Sequence, residues 1–559
     1  MKRPYTPPSD ARRAASLLLL RDGLEGLEVL MQRRAEREGD MRSGVAVFPG
    51  GLLDAGDRAA HDHCLGPDDR EMSRWLDLAE GGLDYAVAAV RETFEEVGLL
   101  LASPHPQPEE GASAAPDAAA LAPWRLRLHG GHASLGDLCV QHGLKLDLRG
   151  LVYHSHWLTP PGSPKRFDTR FFAVRAPQDQ VAVVDMTEAV ELMWLAPSAA
   201  LAPERGLKLL TVTEKTLEEL ARFESADAAL QYFRQRPSVP LIMPRRALVA
   251  GRPAVVLPGD FAYAEVGRLD PAGHGKAHGD LQAGRAVRLS PRIVRVTAPN
   301  PGMMTGPGTN SYLVGPAEGE GGWTVIDPGP DSEAHLQALL AAAPGPIERI
   351  LVTHTHRDHS PGCVALARAT GAAVMGLRAR HSQGQDPSFD PDHALRGGER
   401  MALGTGTTLQ VLHTPGHASN HLCYLLQEER LLFTGDHVMQ GSTVVINPPD
   451  GDMAAYLAAL EGLLALDLEW LAPGHGFLVD EPAAVLRALI AHRLRREAKV
   501  VAAVALGPAT LPVLVGRAYD DVPAALHGVA ARSLLAHLLK LQGDGAVRCD
   551  AEIWSSGGG

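Results

Sequence analysis

"THTHRDHSPG", residues 353–362, places His354, His356, Asp358 and His359 within six positions. The run "RILV" at 349–352 reads as an apolar strand, so these side chains sit on a loop at a strand end, where a buried scaffold preorganises a metal site. Residues two apart on extended chain point the same way, whereas the following turn swings Asp358 and His359 to the other side. One loop can therefore serve two metals. Imidazole and carboxylate suit zinc, with iron or manganese as competitors. Four local ligands do not complete two coordination shells. Three more stand at the ends of apolar runs, each beside a glycine: His417 in "HTPGH" (413–417), Asp436 in "LLFTGDH" (431–437) and His475 in "LAPGHG" (471–476).

A second, acidic cluster lies far upstream. "FPGGLLDAGD" (48–57) precedes "LDYAVAAVRETFEEVGLLLA" (83–102), whose apolar residues recur at helical spacing. On that helix Glu92, Glu95 and Glu96 line one face. All-oxygen ligands select the hard cations Mg²⁺ or Mn²⁺.

At 559 residues the chain is too long for a single core, and three or four domains are expected. With 45% hydrophobic and 21% charged residues it has the composition of a soluble globular protein. The five cysteines are scattered and include no CxxC pair, so neither a disulfide framework nor a thiolate zinc site is indicated and a reducing, cytoplasmic home is expected. The four leucines near the N-terminus are too few for a signal-peptide core, and no apolar run is long enough for a membrane span. A net charge of −13 argues against tight non-specific polyanion binding by the whole surface.

Composition also divides the chain. Residues 102–122, rich in Ala, Pro and Ser, read as a surface insertion within a first domain, 1–255. The glycine-rich stretch 256–290 reads as a linker. Strands alternating with helices over 291–481 argue for a layered α/β domain. The segment 482–559 is mostly helical and carries nine Lys and Arg against six Asp and Glu.

HxHxDH followed by TPGH, TGD and PGHG resembles the metallo-β-lactamase superfamily over about 295–480, which implies an αββα sandwich. By this resemblance His354, His356 and His417 bind one metal and Asp358, His359 and His475 the other. Asp436 bridges them, and Asp358 also holds the attacking water, which the two ions make nucleophilic near neutral pH. A bridging carboxylate resembles glyoxalase II and the RNA and phosphodiester hydrolases more than the antibiotic-destroying enzymes, so a β-lactam substrate is not expected. "NPGMMTGPGTNSYLVG" (300–315) and "DPG" (327–329) are similar to the β-lactamase-like 2 branch, which includes a mitochondrial endoribonuclease and whose members end in a small winged-helix-like domain. Ser360 departs from the glycine usual after the last histidine. Asn420 and His421, just beyond the third motif, are candidate substrate contacts.

Gly51, five residues and Asp57, then Arg91, Glu92, Glu95, Glu96 and Gly98, resemble the Nudix box, with Asp57 in place of the usual glutamate. Thirty-three residues, 58–90, replace the usual seven between its halves. That insertion, "SHWLTPPGSPKRFDTRFF" (155–172) and "EAVELMWLAP" (188–197) are similar to the peroxisomal coenzyme A diphosphatase branch over about 10–245. The resemblance implies an α/β/α sandwich with Glu95 and Glu96 as principal Mg²⁺ or Mn²⁺ ligands, Glu92 as ligand or general base, and Arg91 orienting the carboxylates. Glu191 is a candidate further ligand. Lys165, Arg166 and Arg170 are candidate phosphate contacts, with a structural salt bridge to Asp168 as the alternative.

The reading is a multidomain α/β hydrolase with two centres. A Nudix centre cleaves a nucleoside diphosphate conjugate, coenzyme A or acyl-coenzyme A favoured, and a centre with two Zn²⁺ (or Fe or Mn) hydrolyses a thioester, ester or phosphodiester. The alternative is a single-stranded RNA endonuclease in the C-terminal half, guided by the basic tail, with the Nudix domain as a ligand-sensing or inactive module.

Overall fold

The leucines at 17–20 form the middle of a strand, Ala11–Gly23, buried on both faces in the computed structural model. Residues 4–36, 43–105, 118–184, 189–318 and 321–557 are described. They fall into two compact units, Met1–Pro244 and Arg245–Gly559.

In the first unit that strand pairs in parallel with Arg166–Arg175 at the centre of a nine-stranded sheet. Strand alternation sends Leu17 and Leu19 into one core with helix Gly82–Val97, while Leu18 and Leu20 point to the opposite face, against which helix Ala226–Arg234 packs. The result is the α/β/α sandwich that the resemblance implies.

The insertion 58–90 is folded and holds the acidic helix in place. Its helix Asp69–Trp75 lies so close that a Cβ on Gly82 would sit 2.3 Å from the Ser73 backbone. The Asp69 carboxylate accepts from the N–H groups of Gly81 (3.1 Å) and Leu83 (2.9 Å), and Ser73 Oγ accepts from that of Gly82 (2.9 Å). These bonds satisfy N–H groups that a helix start otherwise leaves unpaired. At the other end Gly98 takes the left-handed φ of 74° that closes a helix, its expected position in the box being a C-cap.

Residues 106–117 lie outside the described residues, but both flanks of the expected surface insertion 102–122 are structured. Ala102–Pro104 is a strand, and helix Ala118–His129 buries Leu121, Trp124 and Leu128 in the main core. Widely spaced apolar residues in an alanine-rich segment concealed that face.

The second unit begins earlier than composition suggested, and 256–290 is not a linker. It contains helix Tyr263–Leu269 and strand Ala286–Ser290. Its Glu265 makes a two-pronged ion pair with Arg295 at 2.6 and 2.8 Å, both side chains about 2% exposed or less, and accepts from the Leu478 N–H at 2.9 Å. Glycine-rich sequence masked a single buried carboxylate whose partner is thirty residues away.

Beyond it a seven-stranded and a five-stranded sheet face each other. Tyr312, Ile326 and Leu351 of the first pack with Val411, Tyr424 and Phe433 of the second. Helices Glu333–Ala342 and Gly362–Thr370 cover the outside of one sheet, and Met453–Leu464 covers the other, giving αββα layers. Helices Pro482–Ala505, Leu511–Ala518 and His527–Gly543, with a three-stranded sheet closed by the hairpin of Val547–Asp550 and Ile553–Ser556, enclose their own core around Leu514, Leu538 and Trp554: a winged helix. Among the described residues no helix is long and apolar enough to cross a membrane.

Breaking the Glu265–Arg295 pair leaves a buried, uncompensated charge. Glu265→Gln is expected to lower stability to urea unfolding by about 3–5 kcal/mol, and Glu265→Leu with Arg295→Met to recover most of that loss. Equal destabilisation by the single and the double variant would show that the ion pair is not what anchors this segment.

Candidate active sites

Strand Ile347–Leu351 ends at the histidine loop, and the ends of neighbouring strands bring the remaining ligand candidates to it. The ligand atoms of His354, His356 and His417 lie within 4.8 Å of one another, and so do those of Asp358, His359, Asp436 and His475. Asp436 spans the two sets. Its Oδ1 is 3.4 Å from His359 Nε2 and 3.3 Å from His475 Nε2, and its Oδ2 is 3.9 Å from His417 Nε2.

In four of the five rings the far nitrogen sets the near one. His354 Nδ1 donates to Thr353 Oγ1 (3.0 Å), since that hydroxyl itself donates to Asp327 (2.7 Å). His359 Nδ1 donates to Asp327 Oδ2 (2.8 Å), His417 Nδ1 to the Val445 carbonyl (2.8 Å) and His475 Nδ1 to the Gly308 carbonyl (3.2 Å). Each leaves an Nε2 lone pair facing the cluster, the usual outer support of a metal-binding histidine. Burial, reinforced by neighbouring imidazoles, holds His354 well below the histidine range and lowers His356 to about 4. In the second set burial acts the same way on His475, but the Asp436 and Asp358 carboxylates outweigh it and raise the ring to about 9. His359 Nε2, His475 Nε2 and Asp436 Oδ1 are buried with no hydrogen-bond partner among the described residues. Neutral imidazoles on one side, carboxylates on the other and orphaned ligand atoms between them fit two divalent cations.

Sequence reasoning missed Asp327 as a site residue. It sits at the end of strand Trp323–Ile326 with a left-handed φ of 53°, unusual outside glycine, and its carboxylate accepts from Thr353 N–H (2.7 Å), Thr353 Oγ1 and His359 Nδ1. The "DPG" after an apolar strand was the available signal. Ser360 occupies its non-glycine position without difficulty, fully buried and donating to Asp386 Oδ2 at 2.7 Å. Asn420 and His421, the candidate substrate contacts, lie beneath the ligand loop. Both are buried: Asn420 donates to Thr355 Oγ1 and the Leu377 carbonyl (2.9 Å each), and the His421 ring stacks on His354 at 5.0 Å. They support the ligand loop from beneath.

In the first unit Arg91 organises the acidic face. Its Nε and Nη2 donate to the two oxygens of Asp57 (2.7 and 3.2 Å), Nη2 also donates to the Leu52 carbonyl (2.7 Å), and Nη1 to Glu92 (2.9 Å) and Glu95 (3.3 Å). Asp57 is therefore a buried anchor for Arg91, and the shorter side chain suffices. A Cβ on Gly51 would lie 2.4 Å from the Glu92 carboxyl, so a larger residue there would push that carboxyl aside. Glu96 Oε2 accepts from Gln32 Nε2 (2.7 Å) and the Gly50 N–H (2.8 Å). Gln32, inward-facing on strand Gly26–Arg34, also escaped the sequence reading.

Burial, with the Glu95 charge alongside, outweighs Arg91 and raises Glu92 to about 7; burial likewise raises Glu95. Carboxylates that resist ionisation until a cation arrives fit a hard divalent ion. The three glutamates are not drawn together as tightly as the histidine sets, because Arg91, Gln32 and Gly50 occupy part of their oxygens. They line a cleft of about 600 Å³ whose facing wall carries His129, His132 and Ser134.

The other expected residues of this centre lie elsewhere. Glu191 pairs with Arg33 (3.0 Å) and does not line the cleft. Lys165 is exposed, Arg166 is engaged by Asp10 (2.7 Å), and Arg170 is buried against the Tyr153 hydroxyl (2.6 Å) and the Tyr5 ring. None of the three lines the cleft. Asp168, the alternative salt-bridge partner, is 3.9 Å from Arg170 and bonds more closely to His156 (2.6 Å). Sequence spacing could not tell which face of strand Arg166–Arg175 met the cleft.

Three family descriptions match the chain: the metallo-beta-lactamase superfamily over 304–475, the NUDT19 Nudix domain over 68–209, and the beta-lactamase associated winged helix domain over 510–554. "Lactamase-like protein vrtG" of Penicillium aethiopicum is 32% identical over 253 residues, 44% of this chain and 78% of that protein. "Beta-lactamase-like protein 2 homolog" of Drosophila melanogaster is 30% identical over 277 residues, 47% of this chain and 91% of that protein. "Atrochrysone carboxyl ACP thioesterase" of Aspergillus chevalieri is 32% identical over 275 residues, 46% of this chain and 83% of that protein. The chain thus belongs to the metallo-β-lactamase superfamily and is a metal-dependent hydrolase, with a NUDT19-type Nudix domain ahead of the β-lactamase fold and a β-lactamase-associated winged helix after it.

Proposed function

We propose that the chain is a two-centre hydrolase of acyl-coenzyme A or a related phosphopantetheine thioester: the histidine-rich centre cleaves the thioester and the Nudix centre the diphosphate. The observation that carries the first half is Asp436, whose two oxygens face two separate ligand sets. His354, His356 and His417 would hold one ion, Asp358, His359 and His475 the other, with Asp436 between them; Zn²⁺ suits this donor set. Bound ions would supply Lewis acidity and a water nucleophilic at neutral pH. Asp358, with one oxygen 3.3 Å from both His359 and His475, would orient that water. Support for a thioester comes from the relatives named as acyl carrier protein thioesterases. In the Nudix centre Glu92, Glu95 and Glu96 would hold Mg²⁺ or Mn²⁺, with Arg91 fixing their geometry.

The RNA reading gains no observation. On the winged helix Arg496 and Lys499 pair with Asp520 and Asp521, Lys540 pairs with Glu497, and Arg493 is buried. Three of the tail's nine cations are thus committed to acids of the same domain, and a fourth is buried.

Incubation of the metal-loaded chain with an acyl-coenzyme A, followed by mass spectrometry of the products, is expected to yield free coenzyme A from one centre and 3′,5′-ADP with acyl-phosphopantetheine from the other. Asp436→Asn should reduce thioester cleavage by roughly 100-fold or more while sparing diphosphate cleavage, and Glu95→Gln with Glu96→Gln should do the reverse. Loss of both activities in either variant would refute two independent centres, and diphosphate cleavage surviving the double Gln variant would make the Nudix domain a sensor.

Asp327→Asn tests the outer support of the histidine loop. Zn²⁺ affinity, read by chelator competition, is expected to fall about 10–100-fold with the circular dichroism spectrum retained; unchanged affinity would mean that Asp327 only shapes its turn.

A further inference from the structure

The Nudix cleft presents a charge problem. A diphosphate entering it meets three glutamates, and the one arginine of that face is committed to Asp57, Glu92, Glu95 and the Leu52 carbonyl. The cations expected from sequence to meet phosphate do not line the cleft. Among the side chains of the facing wall, Ser134 Oγ already donates to Asp137 (2.8 Å). The side-chain donors that remain on the described lining are the imidazoles of His129 and His132, both exposed to the cleft.

Their placement is built into the fold. Arg125 donates to the carbonyl oxygens of Glu95 and Glu96 at 3.0 Å, which pins helix Ala118–His129 to the end of the acidic helix. His129 follows Arg125 by four residues and so lies on the same face one turn on. Its Nδ1 is 3.8 Å from Glu95 Oε2, next to the carboxylates that would hold the ion. The helix then ends, and Gly130 and Gly131, the latter at φ +67°, turn the chain so that His132 joins the same wall.

Resting on the Nudix reading above, we infer that His129 and His132 are the diphosphate-binding side chains of that centre, donating N–H bonds to non-bridging phosphate oxygens while the carboxylates hold the divalent ion. Neither belongs to the Nudix box. Both come from the segment 118–134, which makes that segment part of the site and not a surface decoration.

The test uses the full chain with Mg²⁺ and two readouts: calorimetric binding of α,β-methylene-ADP, which cannot be hydrolysed, and cleavage of coenzyme A and ADP-ribose. His129→Ala and His132→Ala are each expected to weaken binding of the methylene analogue by roughly tenfold, the loss of one hydrogen bond to a charged group, and to raise KM more than they lower kcat. Both residues are exposed, so thermal midpoints should match the wild type. Binding and KM unchanged in both variants, with Glu95→Gln and Glu96→Gln abolishing cleavage, would overturn this assignment and leave the Nudix reading standing. Failure of the wild-type chain to bind the analogue or cleave either substrate would remove the Nudix reading and this inference together.

Discussion

The histidine-rich centre depends on one carboxylate that no divalent ion would touch. Asp327 accepts three hydrogen bonds from a left-handed turn at a strand end, and through them it fixes Thr353, the tautomer of His354 and the ring of His359. Without it the loop after strand Ile347–Leu351 would have to hold several lone-pair donors in the low-dielectric interior against their own repulsion, since burial and mutual proximity already depress His354 and His356. Gly416 and Gly435 complete the constraint, because a Cβ at either would lie about 2.5 Å from Tyr456 or Thr353. The ligands stand close because the backbones carrying them do.

The acidic centre solves the converse problem with the same economy of parts. There the repulsion is between carboxylates, and a single guanidinium spans three of them while also tying down the "FPGGLL" turn through the Leu52 carbonyl. The long insertion does not loosen this arrangement. Asp69 and Ser73 from within it cap the start of the acidic helix, and Arg125 covers the carbonyl oxygens near its end. A helix held at both termini can present a charged face that its own propensity would not stabilise.

Much of this was legible in the chain itself. The seven ligand candidates of the second unit stand in four short motifs, each at the end of an apolar run, and all seven converge. Gly51, Asp57, Arg91, Glu92, Glu95, Glu96 and Gly98 take positions that account for their spacing. The misreadings have a common origin. Glu191, Arg166 and Arg170 were placed by chemistry alone, yet a strand alternates its faces and only the sheet decides which face borders a cleft. Asn420 and His421 look like exposed polar residues beside a ligand, but they are buried among other polar groups that satisfy most of their bonds. Glu265 hid in a glycine-rich stretch because one buried charge leaves no periodic trace.

What the sequence determined was the chemistry: which side chains supply lone pairs, which supply oxygens, and at what local spacing. That information is covalent and short-range, and a six-residue loop or one helical face carries it whole. The tertiary structure decided what depends on contacts across many residues: that Asp436 faces two ligand sets, that Asp327 holds the histidine loop from beneath, that an apparent linker is an anchored element, and that His129 closes the acidic cleft. Those placements follow from which faces of strands and helices meet, and burial of apolar surface, not the polar residues themselves, sets that meeting.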